Sequence, residues 1–525
     1  MSNLRWQNVR PYQVVLPVCL LAQAALLMTR LDLLPVWGDE YFTLRAVSGS
    51  FGQTIGAYAA DGINPPLHAL LVKLWLLIRW PLEEAAAARL LSVLFALAST
   101  VAIDRLWLRS LGERVRLWFL LLWTLSPCLL LYARMARSYS LQVLVFAVVL
   151  RAAVELVREP RFIWRGLAFS VGSACLLYVH YLPGLALLLG VLSALAWRAM
   201  RGPRNEAVKT AAGVLALVAV VYAAWLPHLV GTVAHMMRAE TPRVEGGLKS
   251  EIVRLGYWLF SFSLGETPPL WVLIAGMLLL PAILCLIWMG ARTRPEWLGV
   301  LAVAALAGYA GAARWVAFVF TPGRLLFLLP FFLMLLALGL AQSGRTGWLA
   351  GGALVCLSGF SIGSYFNKTE FLNKGYLLPY EEIAEIVTAG SAGRPAALLA
   401  DTWNTDPAPL IDAAPKDLKV ILVSRESTEA SVREQLASSR AQVVWYFRST
   451  HDTSPGRVNR RLEQSLSEAC LVRRHDFVPY SHRDRLMMEA LGWQERPTHL
   501  VALLEAACPA FGAGPGGASP STGKP

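Results

Sequence analysis

Long apolar runs, broken by short polar stretches rich in arginine, fill the first 364 residues. The first run ends near Met28. Others follow at Ala86–Leu106, Leu117–Tyr132, Leu141–Leu156, Gly166–Tyr181, Leu185–Trp197, Ala211–Pro227, Leu270–Met289, Trp297–Ala313, Leu325–Leu340 and Trp348–Ile362. A helix crosses a bilayer with roughly 20 apolar residues, so the pattern predicts a polytopic α-helical membrane protein with about 11 transmembrane helices. The run Pro66–Trp80 is short for a crossing, contains Lys73 and ends beside Arg79. It reads as a helix lying on the outer interface, started by the Pro65-Pro66 pair; a short true span is the alternative.

Basic residues decide between the two. Arg5 and Arg10 precede the first run, and the clusters Arg105–Arg116, Arg151–Arg165, Arg198–Lys209, Arg292–Arg294 and Arg345 fall in alternate loops. Positive loops stay cytosolic. With Pro66–Trp80 on the interface, all of these share the cytosolic side with the N-terminus; counting it as a span would place most of them outside. Arg134, Arg137, Arg314 and Arg324 remain on the outer side against the rule.

After residue 364 the texture changes to frequent, mixed charges. Pro379–Val387, Ser431–Ser439 and Val458–Cys470 read as helices, and Ala396–Ala400, Leu418–Val423 and Gln442–Phe447 as short strands. The expected organisation is a membrane module over 1–364 with a first outer loop at 31–85, a small α/β domain over 365–510, and a Gly-, Pro- and Ser-rich disordered tail over 511–525. An odd number of spans puts the α/β domain outside the cytosol.

Composition agrees. Of 525 residues, 56% are hydrophobic and only 16% charged, far from the usual globular balance. The net charge of +13 lies in the membrane part, where it sets orientation and touches anionic lipid. No zinc-finger or RNP-type signature accompanies it, so a nucleic-acid partner is not expected. Of seven cysteines, Cys19, Cys128, Cys175, Cys285 and Cys356 lie in or near apolar runs as small hydrophobes. Cys470 and Cys508 could pair if their domain is outside the cytosol. No CxxC and no metal-ligand spacing occurs. The N-terminal run lacks a convincing signal cleavage site and reads as a retained first span.

Candidate chemistry concentrates in the stretch Trp37–His68. It carries the adjacent acids Asp39 and Glu40, then Asp61, then Asn-Pro-Pro-Leu-His ending at His68. On the same side stand Arg134, Arg137 and Tyr139 in Arg-Met-Ala-Arg-Ser-Tyr, His180 with Tyr181, and Arg324 in Thr-Pro-Gly-Arg. The long outer loop His228–Pro268 adds His235, Arg238, Glu240, Glu245, Tyr257 and Trp258. Each has a structural reading too: a helix cap or solvated acid for Asp39, a turn before Gly62 for Asp61, snorkelling for Arg137, an interfacial residue for His180.

The order of these motifs resembles the GT-C superfamily of membrane glycosyltransferases. The acid pair follows the first span; Asn-Pro-Pro-Leu-His, an Ala-Arg-Leu-Leu-Ser span opening and Arg-Met-Ala-Arg-Ser-Tyr-Ser-Leu come next. By pattern the protein O-mannosyltransferases and lipid A aminoarabinose transferases are nearest, over roughly residues 10–345. The resemblance implies a hexosyl- or pentosyltransferase that takes its sugar from a polyprenyl-phosphate donor at the outer face of the inner membrane of a bacterium. The N-terminus would then be cytosolic and the C-terminal domain periplasmic. Asp39 would be the general base on the acceptor hydroxyl, with Glu40 beside it. Arg134, Arg137 and Arg324 would meet the donor phosphate, and Asp61, His68, Tyr139, His180 and Tyr181 would bind substrate. Besides the donor and membrane lipid, the partner would be an acceptor glycan, lipid or protein. Some relatives carry an acid in the second outer loop; Arg-Met-Ala-Arg-Ser-Tyr-Ser-Leu has none, which favours an arginine clamp on phosphate over a metal shared between loops. A divalent cation, Mg²⁺ or Mn²⁺, at Asp39 and Glu40 stays open. Two other readings are a transporter or flippase for a lipid-linked saccharide and a non-catalytic membrane scaffold. Neither gains from the nearly charge-free span centres or from the lack of visible internal repeats.

Overall fold

The computed structural model describes residues 11–62, 64–160, 162–201, 204–238, 248–294, 322–402, 405–451, 454–490 and 497–508. The chain divides into two compact units: Met1–Leu33 with Phe42–Thr369, and Leu34–Tyr41 with Glu370–Pro525.

The first unit is helical. Its first helices are α1 (Pro11–Met28), α2 (Gly38–Ser48, shared with the second unit), α3 (Phe51–Asp61), α4 (Leu67–Leu76) and α5 (Glu84–Leu106). Next come α6 (Glu113–Thr124), α7 (Pro127–Ala133), α8 (Tyr139–Arg158), α9 (Leu167–Val179) and α10 (Tyr181–Arg201). Then follow α11 (Arg204–Tyr222), α12 (Leu226–Arg238), α13 (Leu248–Leu264), α14 (Leu270–Thr293), α15 (Leu329–Gln342) and α16 (Gly344–Phe366). Among the described residues seven helices are long and apolar enough to cross a bilayer, or eight if α6 and α7, bent by 52°, form one span. The difference from the expected eleven lies in α1 and α9, which fall among the shorter apolar helices, and in 297–313, which lies outside the described residues. Arg314, Glu240, Glu245, the side chains of His235 and Arg238, and the tail 511–525 lie outside them as well.

Two stretches expected as loops are built from helices instead. The first outer loop contains α2 and α3 ahead of α4, which was expected as a helix, and the stretch after residue 228 contains most of α12 and all of α13. Local signals explain α3. Ser50 caps it through Gln53 in a reciprocal capping box, and Gly62 ends it in the left-handed region at φ 67°. A side chain at position 62 would also collide with the Thr232 hydroxyl, 2.5 Å from an ideal Cβ. Polar surface on these short helices hid their period behind the apolar runs around them.

Helix α8 sits at the middle of the unit, packed against α5, α9 and α10. α15 is nearly wholly buried and packs against α6, α14 and α16. Its contact with α14 is backbone against backbone. A Cβ on Gly339 would stand 2.1 Å from the Leu286 carbonyl oxygen, and one on Gly290 2.1 Å from that of Leu335. Small residues allow such approach in lipid, where packing rather than the hydrophobic effect joins helices. At the turn between α5 and α6, Arg116 clasps Asp104 with two hydrogen bonds, and the Asp104 side chain is fully buried.

The second unit holds a five-stranded mixed sheet in the order β2-β1-β3-β5-β4. Strands β1 (Ala396–Asp401), β2 (Lys419–Val423) and β3 (Val443–Ser449) are parallel; β5 (His499–Ala507) runs antiparallel to β3, and the edge strand β4 (Leu471–Pro479) antiparallel to β5. Helices α17 (Tyr380–Ser391), α18 (Ala408–Ala413), α19 (Glu429–Ser439), α20 (Val458–Ala469) and α21 (His482–Ala490) accompany it. One face carries Leu398, Trp445 and Leu503 against Ile383 and Val387 of α17. The other carries Leu399, Tyr446 and Leu504 against Leu436 of α19 and Leu462 of α20. Burial on both faces is what parallel strands with crossover helices require. Cys470 and Cys508, on either side of the paired β4 and β5 ends, form a disulfide.

Candidate active site

In the first unit the turn between α7 and α8 carries the arginines. Ser126 caps α7 at its start, and Pro127 at the first helical position sets the bend from α6. Arg137 is buried, with only 8% of its surface exposed. Its Nη1 donates to Thr43 Oγ1 on α2 at 3.2 Å and its Nη2 to Asn64 Oδ1 at 3.0 Å. Asn64 is in turn fixed by Asp61, whose carboxylate accepts from both the Asn64 backbone and side-chain nitrogens at 3.1 Å. Ser92 of the Ala-Arg-Leu-Leu-Ser opening donates to the Arg137 carbonyl at 3.4 Å, and Arg89 to the Leu31 carbonyl at 2.9 Å. Asp61 therefore holds the partner of Arg137.

Two histidines face the same arginine. His68 is buried at the start of α4, and among the described residues its Nε2 has no hydrogen-bond partner. Burial, helped by the Arg137 charge, pushes its imidazole down to about 3. His180 ends α9 in extended backbone, and its Nδ1 accepts from the Leu182 nitrogen at 3.3 Å. Burial, then Arg324, then Arg137 hold it down to about 3 as well. Both rings are therefore neutral at physiological pH, and the positive charge of the cluster comes from Arg137 and Arg324.

This pairing has a measurable cost in acid. The unfolded chain protonates histidine near about 6.5. The folded values lie lower, so the two groups leave stability untouched above that pH and subtract from it progressively as pH falls from 6.5 toward 3. The double variant His68→Gln with His180→Gln is expected to lose less melting temperature than the wild type between about pH 7.5 and about pH 5 in detergent. An equal or larger loss in the variant would contradict neutral imidazoles.

Arg324 lies in the short 3-10 turn Pro322–Leu328 before α15. That turn is wedged in place. Gln142, one turn into α8 and fully buried, donates from Nε2 to the Gly323 carbonyl at 2.8 Å. The Tyr132 ring lies so close to Gly323 that a Cβ there would be 2.5 Å from it. The Tyr132 hydroxyl binds Glu266, a carboxylate 1% exposed that also accepts from Tyr257 at 2.7 Å. Burial raises the Glu266 carboxyl, and these donors oppose the rise. Gln142, Thr43, Asn64 and Glu266 escaped the sequence reading. For Gln142 a signal existed: a lone amide one turn inside an apolar helix, directly after the arginine motif.

Three expected site residues have other surroundings. Arg134 turns to the end of α1, donating to the Leu26 carbonyl at 3.3 Å and to that of Arg30, and lies over the rings of Tyr365 and Phe366, 5.1 Å from each. Its guanidinium thus meets backbone carbonyls and ring faces. Tyr139 is 3% exposed and packs edge-on against Tyr132 at 5.1 Å. Tyr181 donates to the Gly62 carbonyl at 3.3 Å and accepts from Trp225 Nε1 at 2.9 Å, which ties α10 to the α3 end.

In the second unit, Asp39 and Glu40 occupy the first turn of α2, where acids interact favourably with the helix dipole. Asp39 is half-buried and Glu40 buried. The turn is packed on both sides. The Trp37 ring stands edge-on to Tyr376 at 5.0 Å, an ideal Cβ on Gly38 lies 3.6 Å from the Asp406 Cβ, and the Tyr41 hydroxyl donates to Asp412. Among the described residues no three His, Cys, Asp or Glu side chains converge as a cation site. A cation at Asp39 and Glu40 would draw its remaining ligands from water and substrate oxygens, as Mg²⁺ commonly does.

No protein-family model matches the sequence, and no curated protein does. Solved structures match along the whole chain. The crystal structure of ArnT from Cupriavidus metallidurans in the apo state is similar at a TM-score of 0.53 and 12% identity, over 96% of this chain and 99% of that one. The same protein bound to undecaprenyl phosphate gives 0.49 and 13%, over 96% and 99%. Arabinofuranosyltransferase AftD from Mycobacteria gives 0.45 and 14%, over 94% of this chain and 41% of that one. The fold assignment rests on the first: this chain is a multi-pass membrane protein with the fold of ArnT.

Proposed function

We propose that the chain is a membrane glycosyltransferase that moves a sugar from a polyprenyl-phosphate donor to an acceptor hydroxyl at the outer face of the inner membrane. The observation that carries this reading is the buried Arg137, oriented by Thr43 and Asn64 and flanked by neutral histidines and Arg324. A dry, pre-oriented guanidinium is what a departing phosphate monoester needs. The full-length likeness to ArnT in fold supports the same reading.

In the reaction Asp39 takes the proton of the acceptor hydroxyl, and the freed oxygen attacks the anomeric carbon. The bond from that carbon to the phosphate oxygen breaks, and its electron pair leaves on the phosphate. Arg137 and Arg324 balance the charge that develops there. Glu40 keeps the turn acidic from its buried side. A divalent cation bound by Asp39, Glu40 and the donor phosphate is the alternative carrier of that charge; chelation with EDTA separates the two. The Cys470–Cys508 disulfide supports an oxidising, periplasmic setting for the C-terminal domain, with the N-terminus cytosolic.

Mass analysis of cell-envelope lipids, glycans and glycoproteins in a deletion strain tests the function. One sugar-bearing species is expected to disappear on deletion and to return with the wild-type gene. An unchanged envelope profile, or loss of transbilayer movement of a lipid-linked sugar with transfer intact, would overturn it.

A further inference from the structure

The C-terminal half has no stated task in the chemistry, yet the turn bearing the acids belongs to its unit. Residues Leu34–Tyr41 cluster with Glu370–Pro525. Two of the contacts fall on the segment that follows β1. Asp406 and α18 follow the carboxyl end of β1, and the Ala408 nitrogen donates to Asp406 Oδ1 at 3.1 Å. In open α/β sheets the carboxyl ends of the parallel strands are where ligands are bound. Here the segment that leaves β1 at that end contacts another segment of the same chain. Gly38 lies against Asp406 with no room for a larger neighbour, since an ideal Cβ would be 2.8 Å from Asp406 Oδ2. Tyr41 reaches Asp412 on α18 through its hydroxyl, and Trp37 packs on Tyr376. Asp39 and Glu40 lie between Gly38 and Tyr41, so three fixed residues bracket the two acids within one helical turn.

We infer that the C-terminal domain is part of the catalytic apparatus: Tyr41 and Asp412 are positioning residues that hold the Asp39 carboxylate in its working place. This rests on the reading of Asp39 as the general base. A hydroxyl-to-carboxylate bond across 371 residues of chain sets the height and rotation of the first turn of α2. Without it that turn keeps its sequence but loses its anchor, as helix ends fray unless tied down.

The docking is tested without any substrate. Gly38→Cys with Asp406→Cys places two Cβ atoms about 3.6 Å apart, within the range of about 3.5–4.5 Å that a disulfide accepts. With Cys285→Ser and Cys356→Ser as background, oxidation of membranes by copper phenanthroline in air is expected to yield the 38–406 linked peptide by mass spectrometry. Its absence would overturn the docking.

The positioning role is read in cells, on the envelope species restored by complementation. At wild-type membrane abundance, Tyr41→Phe and Asp412→Leu are each expected to lower that species at least tenfold. Asp412→Asn, which keeps an oxygen to accept from Tyr41, is expected to recover most of it. A merely structural role would lower abundance together with product and would not separate Asn from Leu. If the cysteines link and Asp39→Asn abolishes product while Tyr41→Phe and Asp412→Leu do not, the positioning role is wrong and the base assignment stands. If Asp39→Asn retains product, the base assignment falls and the positioning role with it, while the docking is still judged by the linked peptide.

Discussion

Asp39→Asn is expected to abolish detectable sugar transfer, a loss of about 10²- to 10⁴-fold, with normal amounts of protein in the membrane. The substitution keeps the shape of the side chain and an oxygen able to accept a hydrogen bond. It removes the ability to take a proton, which is the one property the attack of a hydroxyl on an anomeric carbon demands. The competing role for Asp39 is electrostatic, as an acid at a helix start, and that is worth only about 0.3–1 kcal/mol of stability. The two roles therefore separate cleanly. A base shows up as lost product at constant abundance, and a helix-end acid as a slight shift in melting with product retained. Glu40→Gln serves as the comparison, because Glu40 is the more buried of the pair and the less able to meet an acceptor. Full retention of transfer in Asp39→Asn would remove Asp39 as the base.

The second large effect belongs to Arg137. Arg137→Ala is expected to lower transfer by about 10²- to 10³-fold, the usual cost of removing one donor to a developing oxyanion. Arg137→Lys is expected to recover little of it. The guanidinium uses two nitrogens on two different partners, Thr43 and Asn64, and an ammonium cannot keep that fork. Asn64→Ala should reproduce part of the loss, because it removes the acceptor that fixes one arm. Arg134 provides the contrast. Its contacts are the α1 carbonyls and the Tyr365 and Phe366 rings, so Arg134→Ala should lower melting temperature and abundance, leaving binding of the proposed polyprenyl-phosphate donor per folded molecule near wild type. If Arg134→Ala instead weakened that binding as strongly as Arg137→Ala, the division of labour between the two would be wrong.

The membrane framework was legible because its physics is simple. Apolar runs are long, arginines alternate between loops, and a helix stands at each expected span position among the described residues. The five helices α17 to α21 and the first three strands were legible in part; β4 and β5 were not. β4 reads Leu-Val-Arg-Arg-His-Asp-Phe-Val-Pro, and its exposed, charged face hides the alternation that marks a strand. Short polar helices escaped for a related reason, as α2 and α3 offered only a capping box and a glycine among turn-like residues. At the site, residue types suggested chemistry but not allegiance. Arg134 and Arg137 are three positions apart and look alike in sequence. Only packing shows one guanidinium held against ring faces and the other on a threonine and an asparagine. Nor does the sequence show that the Asp61 carboxylate fixes Asn64. The supports from distant segments, Gln142 to Gly323 and Glu266 to Tyr132, join residues more than a hundred positions apart, where no local pattern reaches.

The pair Asp104 and Arg116 bears on how the chain enters its bilayer. A single buried carboxylate is costly to move into hydrocarbon, by about 2.5–3.5 kcal/mol at a span centre. Its partner is only 12 positions away, across the turn between α5 and α6. Both charges thus emerge from the ribosome within moments of each other, before any later helix exists to shield them. The two helices are then best released into lipid together, as a hairpin whose buried carboxylate is already paired. Reversing the order of the two charges should be tolerated by that step, whereas removing either one should leave the hairpin hesitating at the translocation channel.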